Sequence, residues 1–214
     1  MKIPFKTVLP QEIEARSFEI IAAELGNRVL DPMQAPIIQR AIHTSADFDY
    51  ADNLVFSPHA VEKAHQALRQ GAWIVTDTNM AKTGINKTAL SQLGCEVHCF
   101  MADEDVAQAA KANGTTRAVA CMEKAAELQV PLIFAIGNAP TALIRLYELI
   151  QEGRLKPKLI IGVPVGFVNV VESKELILSL DDIPHIVAQG RKGGSNIAAA
   201  ICNALLYQLV DRSY

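Results

Sequence analysis

Apolar and polar residues alternate along this chain with two periods. From Asn53 onward, short apolar runs stand at Leu54–Phe56, Trp73–Thr76, Cys95–Phe100, Leu132–Ile136, Leu159–Ile161 and Ile186–Ala188. Between them lie stretches with helical spacing: 58–70, 87–93, 115–128, 140–151, 170–179 and 195–209. Runs of this length that alternate with helices predict βαβ units and a parallel sheet covered on both faces. The first part of the chain reads differently. Pro10 introduces a helix from Gln11 to about Leu25, with Ile13, Ile20, Ile21 and Leu25 as its buried stripe and Gly26 as its stop. A second helix is expected over 31–44, with Asp31-Pro32-x-Gln34 as a capping box; Pro36 either kinks it or marks its true start. The pattern therefore predicts a Rossmann-like α/β fold. Its open sheet of mainly parallel strands spans 53–214, after an N-terminal helical segment over 1–52, the whole of 1–214 forming one domain.

Composition narrows the function classes. Half of the 214 residues are hydrophobic, and 20 basic against 23 acidic side chains give a net charge of −3. No basic run suits nucleic acid or a membrane surface. No apolar stretch approaches the ~20 residues of a membrane span, and the first ten residues do not read as a signal peptide. Cys95, Cys99, Cys121 and Cys202 form no C-x-x-C pair, which suits reduced, buried thiols in a cytoplasmic protein.

Chemistry concentrates in Arg40-Ala-Ile-His43-Thr-Ser-Ala-Asp-Phe-Asp-Tyr50. On a helix, Arg40 and His43 share one face, with His43 in the last turn and Asp47 and Asp49 close behind as charge partners. A histidine held between opposing charges suits proton transfer. Spacing alone, however, is better matched by a surface or interface histidine after an amphipathic helix. Ser17 falls on the stripe of the first helix, where a serine ordinarily bonds back to its own turn and otherwise faces a ligand.

Four predicted strands end in glycine-bearing loops: Thr76–Ile85, Gly137–Thr141, Gly162–Phe167 and Gln189–Ser195, where Ser195 can cap the last helix. Open parallel sheets bind ligands beyond these strand ends, so the loops predict a binding crevice. Arg117, Arg191 and Lys192 lie beside the glycines and, with Arg40, could meet several carboxylates. The dinucleotide, phosphate-loop, nucleophile-elbow and zincin motifs are absent, and His59, His65, His98 and His185 share no ligand spacing. No metal and no cofactor is expected.

Arg16-Ser-Phe18, Arg40-Ala-Ile-His43-Thr-Ser-Ala-Asp47, Thr76-Asp-x-x-Met80, Thr83-Gly-Ile85, Gly137-Asn-Ala-Pro-Thr141, Gly162-Val-Pro-Val-Gly-Phe-Val168, Glu172-Ser-Lys174 and Arg191-Lys-Gly-Gly-Ser195 follow one another in order. Together they resemble the precorrin-8X methylmutases of cobalamin biosynthesis. The resemblance implies a cofactor-independent isomerase that moves a methyl group from C-11 to C-12 of a tetrapyrrole polycarboxylate. It implies His43 as proton donor and acceptor, Ser17 and Arg40 as substrate-binding positions, Gly84 as a point of backbone approach to the macrocycle, Arg117 as a further basic contact, and a homo-oligomer, a dimer favoured. Asn169-Val-Val stands where the family more often has small residues. Two other readings stay open: a carrier that binds the tetrapyrrole without converting it, and a Rossmann-like enzyme acting on a phosphorylated small molecule.

Overall fold

The computed structural model describes Leu9 and residues 12–211; the expected helix start at Gln11 lies outside them. Six strands form one sheet in the order β1-β6-β5-β4-β2-β3. They are β1 (Leu54–Phe56), β2 (Trp73–Thr76), β3 (Val97–His98), β4 (Leu132–Ile136), β5 (Leu159–Gly162) and β6 (His185–Ala188). The pairs from β3 through β6 are parallel, as the alternating pattern predicts, with Phe134 opposite Ile160 and Ile161 opposite Ile186. The edge strand β1 is antiparallel to β6, Leu54 facing Ala188. Of the expected strand Cys95–Phe100 only the two central residues pair.

Both faces of the sheet are apolar, so the central strands read as continuous hydrophobic runs. Ile74, Ile133, Ala135, Ile161 and Ile186 point into one core and Val75, Phe134, Ile136, Ile160 and Val187 into the other. The first core is closed by α2 (Ala35–Ser45), α4 (Ala60–Arg69), α5 (Asn79–Gly84), α6 (Lys87–Gln92) and α11 (Ser195–Tyr207), with α1 (Ile13–Leu25) and α3 (Tyr50–Asn53) at its margin. The second is closed by α7 (Glu104–Ala112), α8 (Arg117–Ala126), α9 (Pro140–Gln151) and α10 (Val170–Leu178).

Several local expectations are corrected. Ile13 and Ile20 are 54% and 46% exposed, leaving Ile21 and Leu25 as the buried residues of α1. Gly26 ends that helix at φ 61°, as its position predicts. Asp31 caps a turn, accepting from the N–H groups of Met33 and Gln34, and α2 itself begins around Pro36. A proline fits the first helical turn because its missing N–H would have no partner there. Three short or alanine-rich helices, α3, α5 and α7, were not separable from loops by their spacing. Ser195 does not cap α11: Gly194 takes the cap position, and the Ser195 hydroxyl lies 2.8 Å from that of Thr78. Asn169, at the departure from the family pattern, adopts left-handed φ 56° at the start of α10, a conformation asparagine tolerates.

Candidate active site

Helix α2 buries Ile37, Ile38, Ala41 and Ile42 against the core, which turns Gln39, Arg40 and His43 outward. Phe18 of α1 meets that outer face. Its ring stacks on His43 with centroids 5.2 Å apart and planes inclined by 23°. The Arg40 guanidinium lies 4.9 Å from the Phe18 ring centroid and 5.2 Å from that of Tyr207, at the end of α11. It also pairs with Glu14 of α1. A cavity of about 360 Å³ opens here, lined by Phe18, Pro36, Gln39, Arg40, Ala204, Tyr207 and Gln208. His43 itself is exposed. Ser17 donates to the Ile13 carbonyl at 2.8 Å, the local back-bond expected of a helical serine. Its oxygen retains lone pairs for a second donor.

Pro36 lines the same cavity as Tyr207, while the loop before α11 reaches the segment after α2, so the two helices run antiparallel. That puts the end of α2 at the carboxyl edge of the sheet. Lys192 pairs there with Asp47 at 2.6 Å and with Asp49. The lysine holds the Asp47 carboxyl below the usual range, chiefly through their hydrogen bond. The two aspartates expected as charge partners of His43 are thus engaged by Lys192 instead.

The glycine loops of β2, β4, β5 and β6 stand side by side along that edge. Asp77, 1% exposed, accepts from the N–H groups of Gly137 at 2.9 Å, Asn138 at 2.8 Å and Ala139 at 2.6 Å. Burial pushes its carboxyl pKa up, and the three N–H bonds oppose that rise. The bonds set the entry to α9. Gly193 has φ 158°, and a Cβ there would stand 2.0 Å from the Val163 carbonyl oxygen, so the loop seats directly on the end of β5. Beside it Phe167 and Val168 are 81% and 78% exposed, with the Arg191 guanidinium 5.4 Å from the Phe167 ring centroid.

The structure therefore brings Arg40 and His43 together on the outer face of α2, against Phe18, while Ser17, the residue before Phe18, bonds only within α1 in the contacts described. Of the expected site residues only Arg40 lines the cavity here; Ser17, His43, Gly84 and Arg117 do not. The Gly84 carbonyl accepts from the Asn203 side chain at 2.9 Å, and a Cβ on Gly84 would lie 2.9 Å from Ala199 Cβ. Close packing of α5 on α11 thus accounts for this glycine. Arg117 is exposed in the first turn of α8, in the layer on the opposite face of the sheet. A larger cavity of about 670 Å³ lies in that layer, among α7, α8 and α9, and none of the expected site residues lines it. Its Arg145 is occupied by Glu123, Glu148 and Glu152. We place the candidate site at His43 because proton transfer needs an accessible titratable group, and the larger cavity offers only paired charges. Sequence reasoning missed Phe18, Tyr207 and Glu14 as neighbours of the pair, and Asp77 as the organiser of the rim. The only local signal was a carboxylate directly after a buried strand.

The family model for precorrin-8X methylmutase matches residues 12–208. A cobalt-precorrin-8 methylmutase of Priestia megaterium is 46% identical over 93% of this chain and 88% of that protein. One of Salmonella typhimurium is 47% identical, covering 94% of this chain and 96% of the relative. A crystal structure described as precorrin-8X methyl mutase from Thermus thermophilus superposes with a TM-score of 0.83 at 39% identity, covering 91% of this chain and 96% of the other.

Proposed function

The chain belongs to the precorrin-8X methylmutase family, and on that premise we propose that it moves a methyl group from C-11 to C-12 of a precorrin-8 macrocycle. The single observation that carries this reading is the near full-length match at 46% and 47% identity. The two curated relatives described above carry cobalt-precorrin-8 in their names, which favours the cobalt-containing substrate and cobyrinic acid as product over the metal-free pair that ends in hydrogenobyrinic acid.

The reaction is an isomerisation: the C-11–methyl bond breaks, the C-12–methyl bond forms, and no atom is gained or lost. Migration around a conjugated ring requires the π-system to be polarised, which a proton at a ring nitrogen or carbon supplies. His43, exposed and with its ring orientation fixed by Phe18, is the group we assign to donate and recover that proton. General acid–base catalysis of this kind contributes ~10²–10⁴ in rate. Positioning supplies the rest. Arg40 meets a substrate carboxylate and Ser17 hydrogen-bonds the substrate; Arg117 takes a more distant carboxylate, whereas Gly84, tied up in the α5–α11 packing, is given no contact with the macrocycle.

We read 1–214 as one α/β unit, residues 1–52 delivering His43 and 53–214 forming the sheet. No helix among the described residues is long and apolar enough to cross a membrane, and we assign the enzyme to the cytoplasm. A homodimer fits the apolar side chains that α1 and its flanks leave exposed: Leu9, Ile13, Ile20 and Met33, at 53, 54, 46 and 38%.

Incubation with metal-free and cobalt-containing precorrin-8 tests the proposal. The absorption change of methyl migration is expected with wild type and lost in a folded His43→Ala variant. Binding without any absorption change would make the protein a carrier; wild-type turnover by H43A would remove His43 from the chemistry.

A further inference from the structure

Helix α10 carries Lys174, whose residue surface is 1% exposed. Its Nζ donates to the main-chain carbonyls of Gly190 at 2.7 Å and Lys192 at 2.8 Å. Among the described residues these two carbonyls are its hydrogen-bond partners, and no carboxylate pairs with it. An ammonium withdrawn from water without a counter-ion is costly. A loop that merely had to close could be tied by a neutral side chain at lower cost.

The loop that Lys174 holds is fixed on a second side as well. Gly194 donates its N–H to the Val163 carbonyl at 2.8 Å. From this doubly anchored loop the Lys192 side chain crosses to Asp47 and Asp49. That segment is in turn hooked onto the last turn of α2. Asp47 N–H meets Ser45 Oγ at 3.2 Å, Ser45 Oγ donates to the Ala41 carbonyl at 2.7 Å, and Ala46 N–H donates to the Ile42 carbonyl at 2.7 Å. Ala41 and Ile42 immediately precede His43. Polar contacts thus run without a break from Lys174 to the turn that presents the histidine.

We propose that Lys174 is a positioning residue for the methyl shift: it fixes the Gly190–Lys192 main chain and, through Lys192 with Asp47 and Asp49, the end of α2 that carries His43. This rests on the reading of His43 as the proton-transfer group. Lys174 need not touch substrate. Its effect falls on the rate step more than on binding, because a displacement of about 1 Å at a reacting group costs about 10²-fold in rate.

The test compares Lys174→Met, Lys192→Met, the double variant and a control, His65→Gln, by steady-state kinetics on cobalt-precorrin-8 and by NMR of the five histidines. The expected result is a kcat lowered about 10- to 100-fold in K174M with KM changed less than about threefold, and a double variant no worse than K174M, since both substitutions break one linkage. The His43 ring resonance should move in K174M and K192M and stay in place in H65Q. An unmoved His43 resonance, a multiplicative loss in the double variant, or a pure rise in KM would each overturn the proposal. Should K174M not fold, K192M carries the same test, because Lys192 is at the surface. A His43→Ala enzyme with wild-type turnover would sink the role of His43, whereas a fixed His43 resonance in K192M sinks only the role of Lys174.

Discussion

Phe18 and His43 stack across the α1–α2 contact with their rings 5.2 Å apart, so the orientation of the histidine depends on a helix outside the crossover series. An aromatic pair of this kind contributes about 0.5–1.5 kcal/mol beyond its buried area. Phe18→Leu keeps the burial and removes the stack. We expect kcat to fall about tenfold while unfolding free energy drops by no more than about 1.5 kcal/mol. Parallel assays of kcat and urea stability check this, and an unchanged kcat would show that the stack does not orient His43.

Arg40 is already paired with Glu14, so under the proposed function a substrate carboxylate would have to compete for it. Arg40→Gln should raise KM about 10- to 100-fold with little change in kcat, the loss of one charge-assisted contact worth about 1.5–3 kcal/mol. Glu14→Gln should act in the opposite direction and lower KM. A fall in kcat at constant KM in R40Q would mean that Arg40 serves the chemistry at His43, not binding.

Asp77→Asn places an amide where two oxygens accept three main-chain N–H groups. At least one donor then faces another donor inside the protein. A loss of about 2–3 kcal/mol in urea unfolding is expected, because the bonds were to a charged acceptor and one partner is left unsatisfied. A variant as stable as wild type would mean that the carboxyl is protonated in the native state.

Gly84→Ala should destabilise the protein by about 1–3 kcal/mol through overpacking against Ala199. Ala199→Gly in the same background should restore part of that loss, read as a shift in thermal midpoint. If G84A instead raised KM at unchanged stability, the glycine would serve the macrocycle and not the α5–α11 contact.

His65 and His185 are buried, and burial lowers the pKa of both; the nearby Arg69 lowers His65 further, while the bond to the Ile183 carbonyl partly offsets the shift of His185. Their native pKa values therefore lie below the unfolded value of about 6.5. As pH falls through that value the unfolded chain takes up protons that the native state refuses, so stability declines toward acid. The Nε2 of His65 meets no hydrogen-bond partner among the described residues. His65→Leu should flatten the decline between about pH 7 and about pH 5. A slope identical to wild type would exclude His65 as a contributor.

The strand–helix alternation was legible because fully buried strands leave continuous apolar runs. The contact of Lys192 with Asp49 was not, since it joins residues 143 positions apart. Helix α7 buries only Val106 and Ala110, one turn apart, which is too weak a period to distinguish it from a loop. Ile13 and Ile20 misled because helical spacing reports an apolar stripe without saying what covers it. The direction of β1 was beyond reach as well: a three-residue strand carries no mark of parallel or antiparallel pairing. At the site, Arg40 and His43 could be placed on one face from their spacing, whereas Phe18, Tyr207 and Glu14 come from other helices and leave no local trace.

The antiparallel edge strand has a consequence in time. Strand β1 pairs with β6, and α2 packs most extensively on α11, so the segment bearing His43 finds its partners far later in the sequence, beyond β2 to β5. Contacts so distant in sequence close slowly, because the chain entropy between them is lost before the contacts form. On the proposed reading of His43, its surroundings should therefore be completed only after the intervening β2–β5 segments have collapsed.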